Sequence, residues 1–250
     1  MSLNKTAIIA AMERELSPLV KEWKKGTLSL GERKFTFFES EGVVAVISGI
    51  GCQNAALAAT AVVAQFHPAV LMSAGLAGAL IRSLKVGSIF TPSVVVDAAN
   101  GAEYRCSAES SRVSGGVLVS ASEIAGAEAK QKLVCDFHAL VVDMEAAGVA
   151  KVAQDANLDF HCVKAISDEA DFAMPPMNKF IDAGGNFQTS KFAIWAALRP
   201  WQWFRVAALA RNGNRATRAL CDWLAKNLTI GVQAGEIVTL NRAELSEAKH

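Results

Sequence analysis

The chain has 250 residues and 52% hydrophobic content, enough to bury one large core, and no linker-like stretch divides it, so it reads as a single domain over residues 1–250. Its net charge of +1 leaves no electrostatic footprint for nucleic acid and favours a small neutral or weakly charged ligand. Five widely spaced cysteines support neither a disulfide framework nor a CxxC metal knuckle, and the four histidines show no ligand spacing. The expectation is therefore a cytoplasmic protein with no metal and no cofactor.

In chain order, residues 5–11 form a buried strand, and a helix follows over 12–23. Glu13 and Glu15 fall in its first turn, where acids suit the helix dipole, so they have a structural explanation as well as a functional one. Residues 28–40 predict a hairpin turning at Gly31 and Glu32, and 43–47 another strand. That strand runs into Ser48-Gly49-Ile50-Gly51, and an Ala-rich helix follows over 52–66. A glycine turn there presents backbone N–H groups that suit an anion or a hydroxyl-rich ligand. It is not a dinucleotide fingerprint: Asn54 stands where the third glycine belongs, and no acid occurs between Glu41 and Asp97 to hold a ribose.

Residues 69–73 predict a strand that leads into a second turn of small residues, Ala74-Gly75-Leu76-Ala77-Gly78. A strand over 88–96, another over 117–120 and a helix capped by Ser122 follow. Next comes a strand, helix, strand pattern over 141–171, in which each apolar run ends in carboxylates: Asp143 and Glu145 after the first, Asp168, Glu169 and Asp171 after the second. Both clusters are expected at the carboxyl ends of neighbouring parallel strands, where open α/β sheets collect ligands. Prolines 175 and 176 predict an exposed loop that could serve as a lid, and helices are expected over 189–198, 201–211 and 214–227. Residues 191–210 hold three of the five tryptophans, but Arg199, Pro200 and Arg205 exclude a spanning helix. The segment suits a membrane surface or an apolar groove.

Converging carboxylates imply shifted pKa values and proton transfer, though acids after strands equally often cap helices. Six ordered stretches carry a more specific signal: Ala11-Met12-Glu13-Arg14-Glu15, Ser48-Gly49-Ile50-Gly51, Ala74-Gly75-Leu76-Ala77-Gly78, Leu84-Lys85-Val86-Gly87-Ser88, Val142-Asp143-Met144-Glu145-Ala146 and Ala165-Ile166-Ser167-Asp168-Glu169-Ala170-Asp171. Together they resemble the motifs of the nucleoside phosphorylase superfamily, in particular its 5'-methylthioadenosine/S-adenosylhomocysteine nucleosidases. Leu76 departs from a small hydroxyl residue common in that branch, and Asp143 from a glutamate.

The resemblance implies a three-layer α/β fold with a mixed, partly barrelled central sheet flanked by helices, in a homodimer or larger homo-oligomer. It implies cleavage of the ribose–purine bond of a small-molecule nucleoside. Glu15 takes the place of the water-activating carboxylate and Asp168, supported by Ser167, that of the acid at the purine. Met144 and Glu145 take the ribose-gripping positions, and Ser48, Gly49 and Gly75 lie in the ligand-facing motifs. Phosphorolysis and simple nucleoside binding are the alternatives; the two small-residue stretches carry no arginine for phosphate, although Arg14 and Arg82 are close in sequence. The helical extension over 189–227 is similar to the tail of the hopanoid-associated phosphorylase-like branch, which implies a lipid-bearing substrate such as adenosylhopane and peripheral contact with the inner face of a membrane.

Overall fold

The computed structural model describes residues 5–107, 115–182 and 184–247, with side chains as far as residue 228. Strand β1 (Thr6–Ala10) lies parallel between β4 (Val43–Ile47) and β5 (Val70–Ala79). The hairpin β2 (Lys24–Leu30) and β3 (Arg33–Ser40) turns at Gly31, whose φ of 57° suits glycine, and extends the sheet antiparallel to β4. Side chains along β1 alternate between two buried faces. Ala7 and Ile9 join a core with α2 (Cys52–Phe66) and α4 (Ala146–Asp155), whereas Ile8 and Ala10 join one with α1 (Glu13–Val20) and α6 (Trp203–Glu247). Helix, mixed sheet and helix thus form three layers.

Strand β5 is the axis of the sheet. Along one edge it pairs throughout with β11 (Asp159–Asp168), in parallel. Along the other it pairs first with β1 and then, at Gly78 and Ala79, with β10 (Val141–Asp143), antiparallel. The sheet continues from β10 through β9 (Val117–Ser120) and β7 (Val94–Asp97) to β8 (Glu103–Arg105), while β6 (Ile89–Phe90) pairs with β11. This division around β5 gives the sheet its partly barrelled form.

Five sequence expectations need correction. The strands carrying the two acid clusters are neither neighbours nor parallel: β10 and β11 flank β5 from opposite edges and run in opposite senses. Residues 74–78 are no turn but the interior of β5, where small side chains let carboxylates from other elements approach the sheet. The strand expected over 88–96 is two strands broken around Pro92, where the chain leaves β11 for β9 and β8. Helix α3 (Ala127–Phe137) has its N-cap at Gly126 rather than at Ser122, because Asn178 Oδ1 accepts the Ile124 N–H at 2.9 Å and holds 122–126 against the loop before α5 (Thr189–Ala197). Finally, α6 runs unbroken through Gly213, since packing on α1 and β11 outweighs the poor helix propensity of Asn212, Gly213 and Asn214.

Candidate active site

A cavity of about 400 Å³ opens where the carboxyl ends of β1, β10 and β11 approach α1, α3 and α6. Glu15, Met144, Glu145, Ser167 and Asp168 line it together with Arg14, Asp143 and Lys130. Glu15 is buried in the first turn of α1, where Oε2 accepts the Met12 N–H at 3.4 Å. Burial raises the pKa of its carboxyl, partly offset by Lys164. Its neighbour Glu13 instead lies in solvent with Lys25 at 3.1 Å, so geometry separates two acids that look equivalent in sequence.

Glu145 follows β10, with Oε1 accepting the Gly51 N–H at 2.9 Å and Oε2 the Met144 N–H at 3.3 Å. Burial first, and then the charge of Asp143, push its pKa up to about 8. The glycine turn therefore does hold an oxygen acceptor, and that acceptor is the Glu145 carboxyl group. Its other N–H groups are also engaged: those of Ser48, Gly49 and Ile50 donate to the carbonyls of Ala10, Ala11 and Gly185.

Asp168 ends β11, opposite Gly78 of β5. Ser167 Oγ donates to its Oδ1 at 2.9 Å, and Lys130 Nζ lies 2.5 Å from its Oδ2. A Cβ at Gly78 would stand 2.9 Å from that Oδ2, and one at Gly75 would stand 3.2 Å from Glu15 Oε2. Glycine is what lets both acids press against β5. Gly75 thus borders Glu15 from within the strand, without lining the cavity.

Ser48 and Gly49 line a second cavity of about 610 Å³ next door, with Arg14, Arg33 and Lys34. Ser48 Oγ sits 2.7 Å from the Gly49 carbonyl oxygen and 3.2 Å from that of Ala10. Beneath the main cavity, Lys164 Nζ pairs with Asp143 Oδ2 at 2.7 Å and donates to Ser73 Oγ at 3.0 Å. Asp143 also accepts from Ser120 Oγ at 2.6 Å and from the Ala146 N–H at 2.9 Å, anchoring the amino end of α4.

Sequence reasoning missed both lysines. Lys164 is the one charge inside the run Cys162-Val163-Lys164-Ala165-Ile166, and a cation in a buried strand was the signal available. Lys130 lies on a polar helix among other charged residues, and nothing in its neighbourhood singles it out.

A family model described as the phosphorylase superfamily matches residues 5–110 and 97–196. A 5'-methylthioadenosine/S-adenosylhomocysteine nucleosidase of Staphylococcus aureus is 32% identical over 195 residues, covering 65% of this chain and 86% of that protein. The nucleosidase of the same name from Helicobacter pylori, solved with a pyrrolidine-based ligand, superposes with a TM-score of 0.69 at 18% identity, over 92% of this chain and 99% of that one. The futalosine hydrolase of Helicobacter pylori superposes with a TM-score of 0.67 at 18% identity, over 89% and 96%.

Proposed function

The chain belongs to the phosphorylase superfamily, and from that premise we propose that it is a nucleosidase, which hydrolyses the N-glycosidic bond of a 5'-substituted adenosine and releases adenine. The observation that carries this reading is the meeting of Glu15, Glu145 and Asp168 around one cavity, from three elements distant in sequence. Loss of a purine builds positive charge on the ribose and negative charge on the base, as in glycoside hydrolysis. Glu15 is the base that orients and deprotonates water. Its raised pKa makes it a stronger base, and its charge favours the cationic sugar. Glu145, beside Met144, takes the ribose hydroxyls. The Asp168 end of the cavity, steadied by Ser167, protonates the departing base.

The 5' substituent points to the apolar wall in this reading. Met174, Met177, Phe187, Phe192, Val206 and Leu209 line that side of the cavity, which suits a thioalkyl group and also a lipid chain such as that of adenosylhopane. Next to the wall, Ile194, Leu198, Trp201, Trp203 and Phe204 are exposed with Arg199 and Arg205 among them, a surface suited to peripheral contact with the inner face of a membrane. Among the described residues, no helix is long and apolar enough to cross a membrane. A homodimer or larger homo-oligomer belongs to the same proposal, and light scattering on the purified protein reads it directly.

Phosphorolysis is the second reading, favoured by Arg14, Arg33 and Lys34 around the adjoining cavity. The deciding experiment incubates the protein with methylthioadenosine, adenosylhomocysteine, adenosine and adenosylhopane, with and without phosphate. Adenine release without phosphate is expected. A requirement for phosphate with ribose 1-phosphate as product would establish the second reading, and no release from any substrate would leave a nucleoside-binding protein.

A further inference from the structure

Lys130 is the one residue that α3 buries. A lysine on a polar helix ordinarily keeps its ammonium in water, yet this one is 3% exposed. Two of its three N–H donors are engaged, by Asp168 Oδ2 at 2.5 Å and the Glu169 carbonyl oxygen at 2.9 Å. The third has no partner among the described residues, and the side chain lines the cavity beside Asp168 and Ser167. A buried ion pair stabilises a fold little better than two apolar side chains of the same volume. Its place in the cavity wall therefore calls for a chemical account.

The pair sets a strong donor beside a strong acceptor. The N7 and N6 edge of a 6-aminopurine is the complement, with N7 an acceptor and the N6 amino group a donor. A 6-oxopurine instead presents acceptors at both positions and sets O6 against the carboxylate.

Resting on the nucleosidase reading, we propose that Lys130 and Asp168 together read the base, and that Lys130, rather than Asp168, gives the proton to N7 while Asp168 accepts the N6 hydrogen. As the C1'–N9 bond breaks, its electron pair passes into the purine. One Nζ–H bond of Lys130 breaks as N7–H forms, which leaves a neutral amine beside the Asp168 carboxylate. The water that adds to C1' gives its proton to Glu15. Solvent reprotonates Lys130 and takes the proton from Glu15 once the products leave, so nucleoside and water become free base and free sugar.

The test compares wild type with K130M on two substrates, 5'-methylthioadenosine and the matching 4-nitrophenyl 5-methylthioriboside, whose leaving group departs without a proton. Removing a proton donor lowers turnover by about 10²–10⁴-fold. The loss on the nucleoside is expected to exceed the loss on the aryl riboside by tenfold or more; a smaller difference overturns the assignment, because a structural defect slows both. If wild type leaves the aryl riboside intact, K130R decides. Arginine keeps the charge but holds its proton, so turnover of the nucleoside within tenfold of wild type overturns the assignment and a greater loss supports it. A wild-type protein that releases no base from any purine nucleoside overturns the nucleosidase reading itself, whereas an active wild type with an unimpaired K130M overturns only the role of Lys130.

Discussion

Asp143 and Lys164 form an ion pair in which neither side chain reaches solvent, and the charges the cavity holds depend on it. Removing one partner of such a pair leaves the other charge buried alone, which costs about 3–5 kcal/mol. Lys164→Met is therefore expected to lower the unfolding free energy by about that amount, measured by urea denaturation. Its loss also removes the charge that holds down the carboxyls of Glu15 and Glu145. At Gly78 the constraint is steric: Gly78→Ala brings a methyl group to 2.9 Å from Asp168 Oδ2, and the carboxylate must move. A displacement of about 1 Å in a catalytic site can cost 10²-fold, so turnover is expected to fall by about that factor while the circular dichroism spectrum stays that of the wild type. Glu15 and Asp168, the two acids that the motif resemblance singles out for proton transfer, both lie where a strand gives way to a helix or loop. The glycines that accommodate them were visible only as a run of small residues, since nothing local says what approaches a strand from above.

The crossing of α2 and α4 shows how one element sets another. A Cβ at Gly148 would stand 2.1 Å from the Cys52 carbonyl oxygen, so α4 rests on the first turn of α2 through bare backbone. That contact keeps the start of α4, and with it Glu145, within reach of the Gly51 N–H. Gly148→Ala must push the helices apart. Overpacking of this kind costs about 1–3 kcal/mol, and because backbone cannot swing aside as a side chain can, the upper end is expected in thermal or chemical melting. Helix α2 was legible in the sequence to its end residues, because a glycine turn precedes it and its alanines face the core. Helix α6 was misread as two pieces, because weak helix formers at 212–214 look like a break until the surface beneath them is known.

Across the whole molecule, buried carboxyls make stability depend on pH in a definite sense. Glu145 titrates near its ordinary value of 4.5 when the chain is unfolded and at about 8 when folded. Between those values the folded state binds the extra proton, so stability falls as pH rises through that window. Glu15 acts in the same direction, its carboxyl being raised by burial and only partly offset by Lys164. The melting temperature is expected to drop between pH 5 and pH 8, and Glu145→Gln, which has no proton to lose, should flatten the drop. An unchanged slope in E145Q would show that other groups carry it.

By itself the sequence determined the α/β class, the hairpin, the helix after the glycine turn and the acids at the ends of elements, because hydrophobic period and turn chemistry act over a few neighbouring residues. It also carried the family, through six motifs in order. Only the tertiary structure decided that β10 and β11 flank β5 from opposite edges, that the Ser48–Gly51 turn spends its last N–H on Glu145, and that a lysine from an undistinguished helix reaches Asp168. The physical reason is common to all three. Strand pairing, close approach over glycine and burial of a long charged side chain are settled by contacts between residues far apart in the chain, and they leave no periodic trace in any one segment.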